Sequence, residues 1–271
     1  MATAKPGKYA SKLLDNNVLV LGGTSGIGFA VAEAAWEFGA KVTISGTNQP
    51  KIDSKISEMK SNNPAGDVSK LQGLPCDLAN QEKVEESLKA LFDVATKNGQ
   101  TKLDHIVFCS GDTLSFKPLT EIDISYIETL SLIRFAGPII ISKLCIRHGY
   151  LKPSPSSSFT LTSGINTTKP GKGWSVIAGV GGAVQGLTRG LAVDLAPIRV
   201  NCVAPGAVHT ELFERFAGDT LEGILDTFRE KSTTNTVGRP EDVAEAYIYC
   251  MRDQFVTGSL IESNGGGLLA G

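Results

Sequence analysis

The sequence predicts a single α/β domain in which a doubly wound parallel sheet carries helices on both faces. Short apolar segments typical of buried strands alternate along the chain with amphipathic segments typical of helices, and such alternation produces a parallel sheet. A glycine-rich turn joins the first strand to the first helix. The length of 271 residues suits one such domain, because chains near this size bury about three-quarters of their unfolded surface.

The alternation of strand and helix is already visible in residues 17–45. An apolar strand is predicted at 17–21, an amphipathic helix at 26–38 and a second strand at 41–45. This order is the beginning of a βαβ unit. The later predicted elements repeat the alternation, with strands at 105–109, 158–162, 199–203 and 258–261 and a Gly/Ala-rich helix at 176–195.

Residues 207–239 interrupt the alternation with helical, partly apolar sequence. Ligands of open α/β sheets bind outside the carboxyl ends of the strands. An insertion that follows such an end lies over the ligand crevice. We therefore interpret this segment as a substrate lid within one domain that spans residues 1–271.

The composition argues against several classes of function. Lys and Arg number 26 and Asp and Glu number 28, for a net charge of −2, whereas nucleic-acid and anionic-membrane partners favour a basic excess. No uninterrupted apolar stretch approaches the ~18 residues of a membrane span, and residues 1–16 contain no apolar signal core. We therefore expect a cytoplasmic protein. The spacing of the five cysteines and three histidines predicts reduced thiols and no metal site.

The glycine-rich turn predicts a dinucleotide-binding site, although a flexible loop is the alternative interpretation. Three glycines have separate tasks: a tight turn, close approach of the backbone to a pyrophosphate, and close packing of helix on strand. The amino terminus of the next helix supplies free N–H groups and the positive end of a dipole. The residues predicted to bind the coenzyme here are Gly22, Thr24, Ser25, Gly26, Ile27 and Gly28.

The end of the second predicted strand indicates which dinucleotide binds. Enzymes that use NAD place an acidic residue here for the ribose 2′-hydroxyl, and this chain has none. Ser45, Thr47, Asn48 and the downstream Lys51 could instead hydrogen-bond a 2′-phosphate. NADP(H) is therefore the predicted cofactor.

These motifs, with several downstream, resemble the short-chain dehydrogenase/reductase family over about residues 16–268. The downstream motifs are Asp77 after the third strand, Leu103-Asp104, 201–206, 238–243 and 256–258. The resemblance implies that Asp77 faces adenine and that the family's turn after the fourth strand corresponds to 108–111. It also implies a homo-oligomer, a dimer or tetramer, built by the Gly/Ala-rich helix and residues 263–271. The further coenzyme-binding residues that it implies are Ser110, Gly111, Pro205, Gly206, Val208 and Thr210.

The catalytic residues depart from the family pattern. The family uses an Asn–Ser–Tyr–Lys tetrad, in which Tyr donates a proton and a Lys four residues later lowers the Tyr pKa. None of the five tyrosines here has a Lys four residues on. The landmark at 183–189 places Ile177 at the Tyr position and Gly181 at the Lys position. Ser163 keeps the Ser position, and Arg134 stands at the Asn position.

Loss of the proton donor favours a changed chemistry. Hydride addition to a ketone makes an alkoxide that needs a proton, whereas addition to an iminium ion gives a neutral amine. A phenol–ammonium pair is unnecessary for that substrate, and the ammonium would repel it. Its replacement leaves a larger apolar pocket, whose predicted substrate-binding residues are Phe108, Cys109, Trp174 and Ile177.

Three polar or aromatic residues near this pocket have two interpretations each. Arg134 lies on an otherwise apolar helix, where it needs an acceptor and could form either a substrate contact or a structural ion pair. Asn166 follows Ser163 by three residues at the carboxyl edge of a strand, and it could serve catalysis or only the loop. Trp174 could stack on a flat aromatic substrate or pack in the core. The predicted catalytic residues are Arg134, Asn166 and Ser163.

Within the family, the sequence looks most like the fungal bifunctional reductase/Diels–Alderases of bicyclo[2.2.2]diazaoctane indole alkaloids. That subgroup lacks the tetrad. The resemblance implies NADPH-dependent reduction of a prenylated, dipeptide-derived iminium, followed by an intramolecular [4+2] cycloaddition in the same pocket. It also implies an arginine at position 134 and an aspartate at position 166. Asn166 is a natural departure or an engineered substitution, and its uncharged amide would impair stabilisation of a cation and proton transfer.

Two other functions stay open. One is a non-catalytic NADP-binding module, which predicts nucleotide binding without an apolar substrate pocket. The other is an ordinary carbonyl reductase that uses water or Ser163 as its proton donor. In the favoured mechanism, Arg134 holds a dioxopiperazine or carboxylate oxygen of the small-molecule substrate, and the pocket and lid fold the prenyl group over the azadiene.

Overall fold

Seven parallel strands form the predicted sheet, in the order β3-β2-β1-β4-β5-β6-β7. The computed structural model describes residues 7–111, 117–217 and 220–270. All neighbouring strands pair in parallel. The strands are β1 Asn17–Leu21, β2 Lys41–Gly46, β3 Leu71–Pro75, β4 His105–Phe108, β5 Ser158–Thr162, β6 Arg199–Pro205 and β7 Leu260–Ser263.

Helices cover both faces of this sheet. The longest is α6, which corresponds to the predicted Gly/Ala-rich helix. A π-helical turn, Leu132–Ala136, separates α4 from α5, and a short 3₁₀ turn, Ile165–Thr167, follows β5. The helices are α1 Gly26–Glu37, α2 Gln49–Asn62, α3 Val84–Ala95, α4 Ile124–Ser131, α5 Gly137–His148, α6 Ser175–Asp194, α7 Glu211–Ala217, α8 Leu221–Glu230 and α9 Pro240–Arg252.

The predicted fold class is confirmed, and the predicted elements shift only at their ends. The last strand occupies Leu260–Ser263 rather than 258–261, because Gly258 has a φ of +67° that an extended strand does not accommodate. β6 runs on to Pro205, two residues beyond its predicted end. Such shifts are the ordinary uncertainty of element boundaries.

Each face of the sheet carries its own apolar core. Leu19 and Leu21 of β1 belong to one core, and Val18 and Val20 belong to the other. This alternation follows from the two-residue period of a strand. A third, smaller group comprises Tyr126 and Leu130 of α4 and Ile177 and Val180 of α6, and we call it the α4–α6 cluster.

The sheet order places a ligand crevice at the carboxyl end of β1. β1 pairs with β2 on one side and β4 on the other, so the chain crosses over at this point. Such a switch point opens a crevice outside the carboxyl ends of the strands. The glycine-rich turn and the segments after β4, β5 and β6 all begin at this edge.

The segment interpreted as a lid leaves this edge and returns to it. Val208 and Gly238 form an isolated parallel bridge, in which the Gly238 N–H donates to the Ala207 carbonyl over 3.0 Å. The segment between them contains α7 and α8. Residues 218 and 219 of the predicted lid lie outside the described residues.

Within the part of the chain that the structure describes, two segments are long and apolar enough to cross a membrane by length and composition alone: Ile124–His148 and Ser175–Asp194. They correspond to α4–α5 with the π turn between them and to α6. α5 packs against α3, and α6 packs against β6. Both segments are therefore part of the α/β domain.

Candidate active site

The three motif glycines occupy positions that no other residue could take without movement. Gly22 has a φ of +80°, and a Cβ there would lie 2.7 Å from the Ser110 nitrogen. A Cβ at Gly28 would lie 2.2 Å from the Gly22 carbonyl oxygen. The turn thus packs against the backbone after β4 and against its own helix, as the motif predicts.

The first turn of α1 offers an anion-binding surface. Ser25 is the N-cap residue, and its side chain makes no capping hydrogen bond. Orphan N–H groups of Gly26 and Ile27 therefore lie at the positive end of the helix dipole. A pyrophosphate fits this position. Thr210 borders it, because its Cγ2 would lie 3.0 Å from a Cβ at Gly26.

Ser45 supports the turn through its backbone. Its carbonyl accepts hydrogen bonds from the N–H groups of Gly22 and Gly23, each at 3.0 Å. The residue is only 2% exposed, so its hydroxyl is not presented to the crevice. Thr24 packs closely against Gly46, where a Cβ would lie 2.7 Å from the Thr24 Oγ1.

Thr47 and Asn48 are exposed beyond the end of β2. The Asn48 Oδ1 accepts a 2.9 Å hydrogen bond from the Lys51 N–H and thereby caps α2. Its amide nitrogen lies 3.5 Å from the Thr47 Oγ1. The cap fixes the start of α2, so that Lys51 lies in its first turn directly after Thr47 and Asn48.

The other predicted coenzyme residues line the same edge of the sheet. Asp77 is exposed after β3, and its Oδ1 accepts a 2.9 Å hydrogen bond from the Ala79 N–H. The Gly206 N–H donates to the Ser263 carbonyl over 3.0 Å. Val208 is 7% exposed and lies in the bridge described above. Pro205 ends β6.

Ser163 lies just beyond β5, and neutral partners saturate its hydroxyl. The Gln185 Nε2 donates to Ser163 Oγ over 3.3 Å, and the Thr167 Oγ1 lies 3.1 Å away. The Gly181 carbonyl lies 3.4 Å from the same Oγ. Because a hydroxyl has one proton and two lone pairs, Ser163 accepts from Gln185 and has two neutral acceptors for its own proton, the Thr167 hydroxyl and the Gly181 carbonyl.

Thr167 occupies the space where a side chain at position 181 would begin. A Cβ on Gly181 would lie 2.2 Å from the Thr167 Oγ1, which is far inside van der Waals contact. Thr167 therefore favours a glycine at position 181. A larger residue at this position would force the Thr167 side chain to move.

Ile177 is 8% exposed and belongs to the α4–α6 cluster. Trp174, one turn earlier, packs against this cluster and is partly buried. Its indole also borders Gly171, where a Cβ would lie 3.1 Å from the Trp174 Cδ1. Ile177 and Trp174 thus form one apolar surface with the α4–α6 cluster. Ser163 contacts the same helix further along, at Gly181 and Gln185.

The π turn positions Arg134. The guanidinium lies against Gly111, where a Cβ would be 2.4 Å from Nη2 and 2.6 Å from Nη1. This turn packs against α6, as does the 3₁₀ turn that carries Asn166. π-Helical turns are rare and occur frequently at functional sites. Residues 112–116, which follow Gly111, lie outside the part of the chain that the structure describes.

The Asn166 side chain folds back over the turn that carries it. A Cβ at Gly164 would lie 2.9 Å from the Asn166 Oδ1. The carboxyl-terminal segment holds this turn from outside, because the Lys169 ammonium donates to the carbonyls of Gly267 and Ala270. The predicted catalytic residue is thus fixed between β5 and the end of the chain.

Phe108 and Cys109 differ in how far they reach the crevice. Phe108 is 3% exposed, and its ring packs on Gly137, where a Cβ would lie 3.3 Å from its Cζ. It forms part of the floor under the site. Cys109 is half-buried, and burial raises the pKa of its thiol to about 11, so it is protonated near neutral pH.

A buried hydroxyl pair lies behind Cys109. Thr162 Oγ1 donates to the Phe108 carbonyl over 2.7 Å, and the Tyr247 hydroxyl lies 2.8 Å from the same Oγ1. Tyr247 must therefore donate to Thr162. Tyr247 is fully buried, and burial raises its pKa well above the ordinary value. This pair fixes the ends of β4 and β5 to α9.

The structure also shows site residues that the sequence alone did not indicate. Thr167 and Gln185 contact Ser163. Gln185 follows Gly181 by four residues on the predicted helix, a spacing that places the two on one face, whereas no predicted helix relates Thr167 to Ser163. Lys55 and Glu211 lie together beside the phosphate turn, and only the fold brings them close. Among the residues described, no three His, Cys, Asp or Glu side chains could hold a metal.

Comparison with known proteins agrees with this geometry. A family model described as an SDR-like Rossmann domain matches residues 9–270. The curated short-chain dehydrogenase/reductase malC of Malbranchea aurantiaca is 43% identical over 95% of this chain and 96% of its own length. The ucsE protein of an Acremonium species, also a short-chain dehydrogenase/reductase, is 40% identical over the whole of both chains.

A solved structure supports the same assignment. The MalC reductase/Diels–Alderase from Malbranchea aurantiaca superposes with a TM-score of 0.91 at 43% identity, covering 97% of this chain and all of that one. The fold, the glycine-rich turn and these relatives lead to one conclusion: this chain is an enzyme of the short-chain dehydrogenase/reductase family.

Proposed function

We propose that this enzyme reduces a cationic iminium intermediate with NADPH and then directs an intramolecular [4+2] cycloaddition of the product. One observation carries the proposal. The space where a family member would hold its proton-donating pair contains apolar Ile177 and a glycine that Thr167 presses against. Among the described residues, the hydroxyls beside this space belong to Ser163 and Thr167, whose hydrogen-bond partners are neutral. Neither is paired there with an ionisable group as the family's Tyr is with Lys, and reduction of an iminium requires no proton donor.

The residues of the crevice fit NADPH. The α1 amino terminus would bind the pyrophosphate, and the exposed Thr47 and Asn48 with Lys51 would meet a 2′-phosphate in the absence of an acidic residue. Ser110, Gly111 and the segment 205–210 would border the nicotinamide. When bound, the coenzyme supplies the hydride.

The pocket itself would position the substrate. Ile177 and Trp174 supply an apolar wall, and the guanidinium of Arg134, held at Gly111, would bind a carboxylate or dioxopiperazine oxygen. The lid would exclude water. Holding diene and dienophile in a near-attack geometry lowers the barrier by several kcal/mol without acid–base chemistry, and the shape of the wall selects one face.

The relatives support the same proposal. The MalC protein is described as a reductase/Diels–Alderase and matches this chain over nearly its whole length. We propose a prenylated indole dipeptide intermediate as the substrate. Asn166 supplies an amide where a carboxylate would stabilise the cation or transfer a proton, so we expect this form to be slow.

The test compares this protein with its Asn166→Asp variant. Each is mixed with NADPH and the prenylated dipeptide aldehyde under nitrogen, and NADPH consumption and product chirality are followed. We expect the Asp variant to consume NADPH faster and to give one enantiomer of the bridged product. Asn98→Asp, in an exposed loop, adds the same charge elsewhere and should change nothing.

Two outcomes would contradict the proposal. If both forms bind NADPH but neither consumes it, the protein is a non-catalytic NADP-binding module. If simple ketones are reduced with strong pH dependence and the iminium is not, the protein is an ordinary carbonyl reductase.

A homo-oligomer is also proposed. Ile124, Ile127, Ile139 and Ile146 of α4 and α5 are exposed apolar side chains, which suit a contact with a second copy. Light scattering at several protein concentrations would test this, and a monomer throughout would contradict it.

A further inference from the structure

An ion-pair cluster joins the lid to the helix that follows β2. The Glu211 carboxylate at the start of α7 lies 3.2 Å from the Lys51 ammonium and 3.3 Å from that of Lys55. Both lysines belong to α2. Lys55 also lies 2.9 Å from Glu58 and 4.6 Å above the ring of Phe29.

This cluster borders the coenzyme crevice. Glu211 follows Thr210, which contacts Gly26 in the phosphate-binding turn. Lys51 lies in the first turn of α2, which begins directly beyond the exposed Thr47 and Asn48. The end of β2 is where a dinucleotide places its adenosine ribose.

The two lysines are not equally available. The Lys55 side chain is 16% exposed and is held by Glu58 and Phe29 as well as by Glu211. The Lys51 side chain is 38% exposed, and Glu211 is its ion-pair partner among the residues described. An incoming anion would therefore take Lys51 more easily than Lys55.

Glu211 is ionised in this setting. Burial acts to raise its pKa, but the hydrogen bonds and charges of Lys51 and Lys55 outweigh burial and lower it. A carboxylate carries one negative charge, whereas a phosphate monoester carries about −1.5 to −2 near neutral pH. The phosphate is the stronger partner for an ammonium.

We propose that Glu211 is a specificity-determining residue for the coenzyme, because its carboxylate competes with the 2′-phosphate for Lys51. The inference rests on the NADPH part of the proposed function. Binding of the 2′-phosphate transfers Lys51 from Glu211 to the ligand and leaves Glu211 on Lys55. The lid is then tied to α2 by one lysine in place of two. Glu211 thus weakens the preference for a phosphorylated ribose and links coenzyme binding to the lid.

Calorimetric titration of the full chain tests this without turnover. The ligands are adenosine 2′,5′-bisphosphate, which carries the 2′-phosphate, and adenosine 5′-monophosphate, which lacks it. Glu211→Gln should tighten the bisphosphate about 2–5-fold, the range of an exposed ion pair, and leave the monophosphate unchanged. Lys51→Met should weaken the bisphosphate roughly 10-fold, as expected for loss of a charged hydrogen bond.

The double variant and two controls complete the design. In Lys51→Met, the added Glu211→Gln change should no longer tighten the bisphosphate, because the contested ammonium is gone. Glu214→Gln removes the same charge one turn along α7, where Glu214 pairs with His209 over 3.1 Å. Lys60→Met removes an exposed charge at the far end of α2. Neither control should alter the ratio of the two affinities.

The outcomes separate this inference from the proposed function. If the unmodified protein does not prefer the bisphosphate, the NADPH assignment fails and the competition fails with it. If the preference exists but Glu211→Gln leaves it unchanged, or Glu214→Gln tightens the bisphosphate as much, only the competition is overturned. Hydrogen exchange of α7 gives a second readout, and it should rise with the bisphosphate and not with the monophosphate.

Discussion

Polar side chains at the two edges of the sheet differ in how deeply they are buried. At the amino edge, His105 and Arg199 begin β4 and β6 and are 1% and 3% exposed. At the carboxyl edge, Ser163, Arg134 and Asn166 remain partly exposed around the crevice. His105 and Arg199 are enclosed by their hydrogen-bond partners at the amino edge. Ser163, Arg134 and Asn166 at the carboxyl edge remain accessible to a ligand.

The amino edge stabilises the fold. The Arg199 guanidinium donates to the carbonyls of Pro155, Cys250, Met251 and Val256, over distances from 2.6 to 3.3 Å. The His105 Nε2 accepts from the Asn16 amide at 3.1 Å, so its Nδ1 donates to Ser158 Oγ at 2.9 Å. These bonds join strands, loops and α9 without facing the crevice. Substitutions here should change stability and leave ligand binding alone.

The largest effect is expected at Arg199. Arg199→Met keeps much of the side-chain volume but removes the guanidinium donors from the buried carbonyls of Cys250 and Met251 and from the part-buried carbonyls of Pro155 and Val256. Each buried unpaired carbonyl costs about 1–3 kcal/mol, and the part-buried ones cost less because water can reach them. We expect the free energy of unfolding to fall by about 3–5 kcal/mol in urea titrations. Arg189→Met, on the exposed face of α6, should stay within about 0.5 kcal/mol. Equal losses of stability in Arg199→Met and Arg189→Met would show that the enclosed arginine stabilises the fold no more than an exposed one.

A second prediction concerns the stability of the fold at acid pH. Burial lowers the pKa of His105 to about 3 from 6.5, with a smaller contribution from the charge of Arg199. Between these values the unfolded chain binds a proton that the folded chain does not, so stability is complete above 6.5 and decreases as the pH falls. From pH 6.5 to about pH 5, we expect a loss of about 2 kcal/mol.

Urea titrations across that interval would measure the acid effect. His105→Gln keeps hydrogen-bonding groups but cannot titrate, so its stability should fall less steeply. His148→Gln removes an exposed histidine and should leave the slope unchanged. A steep slope that survives in His105→Gln would assign the acid sensitivity to other groups.

The third prediction moves to the carboxyl edge, where Thr167 fills the space beside Gly181. Gly181→Ala should destabilise the protein by about 1–3 kcal/mol through overpacking. In a Thr167→Ala background, the same change should become stabilising by about 0.4–1 kcal/mol, as Gly-to-Ala changes in open helix positions are. Gly186→Ala, on the same helix with open space around it, should stabilise in both backgrounds. An unchanged sign at position 181 would refute the role of Thr167.

The sequence predicted the elements that local chemistry determines. The glycine-rich turn at 22–28 was predicted because strand, turn and helix lie within one short segment, and the positive φ of Gly22 is a local requirement. The absence of the Tyr–Lys pair was also visible in the chain. Both depend on neighbours in sequence, so one chain was enough.

Contacts between distant segments could not be predicted in the same way. Ser45 looked like a phosphate ligand, yet pairing of β2 with β1 and β3 buries its side chain. Phe108 looked like a substrate contact, and its ring lies on Gly137 of α5. The contact of Glu211 with Lys51 and Lys55 joins residues about 160 positions apart and depends on how the segment after β6 folds back toward α2. The pattern of apolar and polar residues along the sequence gives no sign of such a long-range contact.

The smallest effect is expected at Ser163, and it separates two chemistries at the carboxyl edge. If Ser163 were the proton donor of a carbonyl reductase, Ser163→Ala would cost about 10²–10⁴-fold in rate and change the pH profile. Its hydrogen-bond partners among the described residues are instead all neutral, the Thr167 hydroxyl, the Gln185 amide and the Gly181 carbonyl, so no ionisable group among them would replace its proton. For an iminium substrate we expect NADPH consumption by the Asn166→Asp form to fall less than about tenfold on adding Ser163→Ala, with the pH profile unchanged. A larger loss of rate together with an altered pH profile would show that Ser163 acts as an acid in the reaction. It would favour the carbonyl-reductase interpretation.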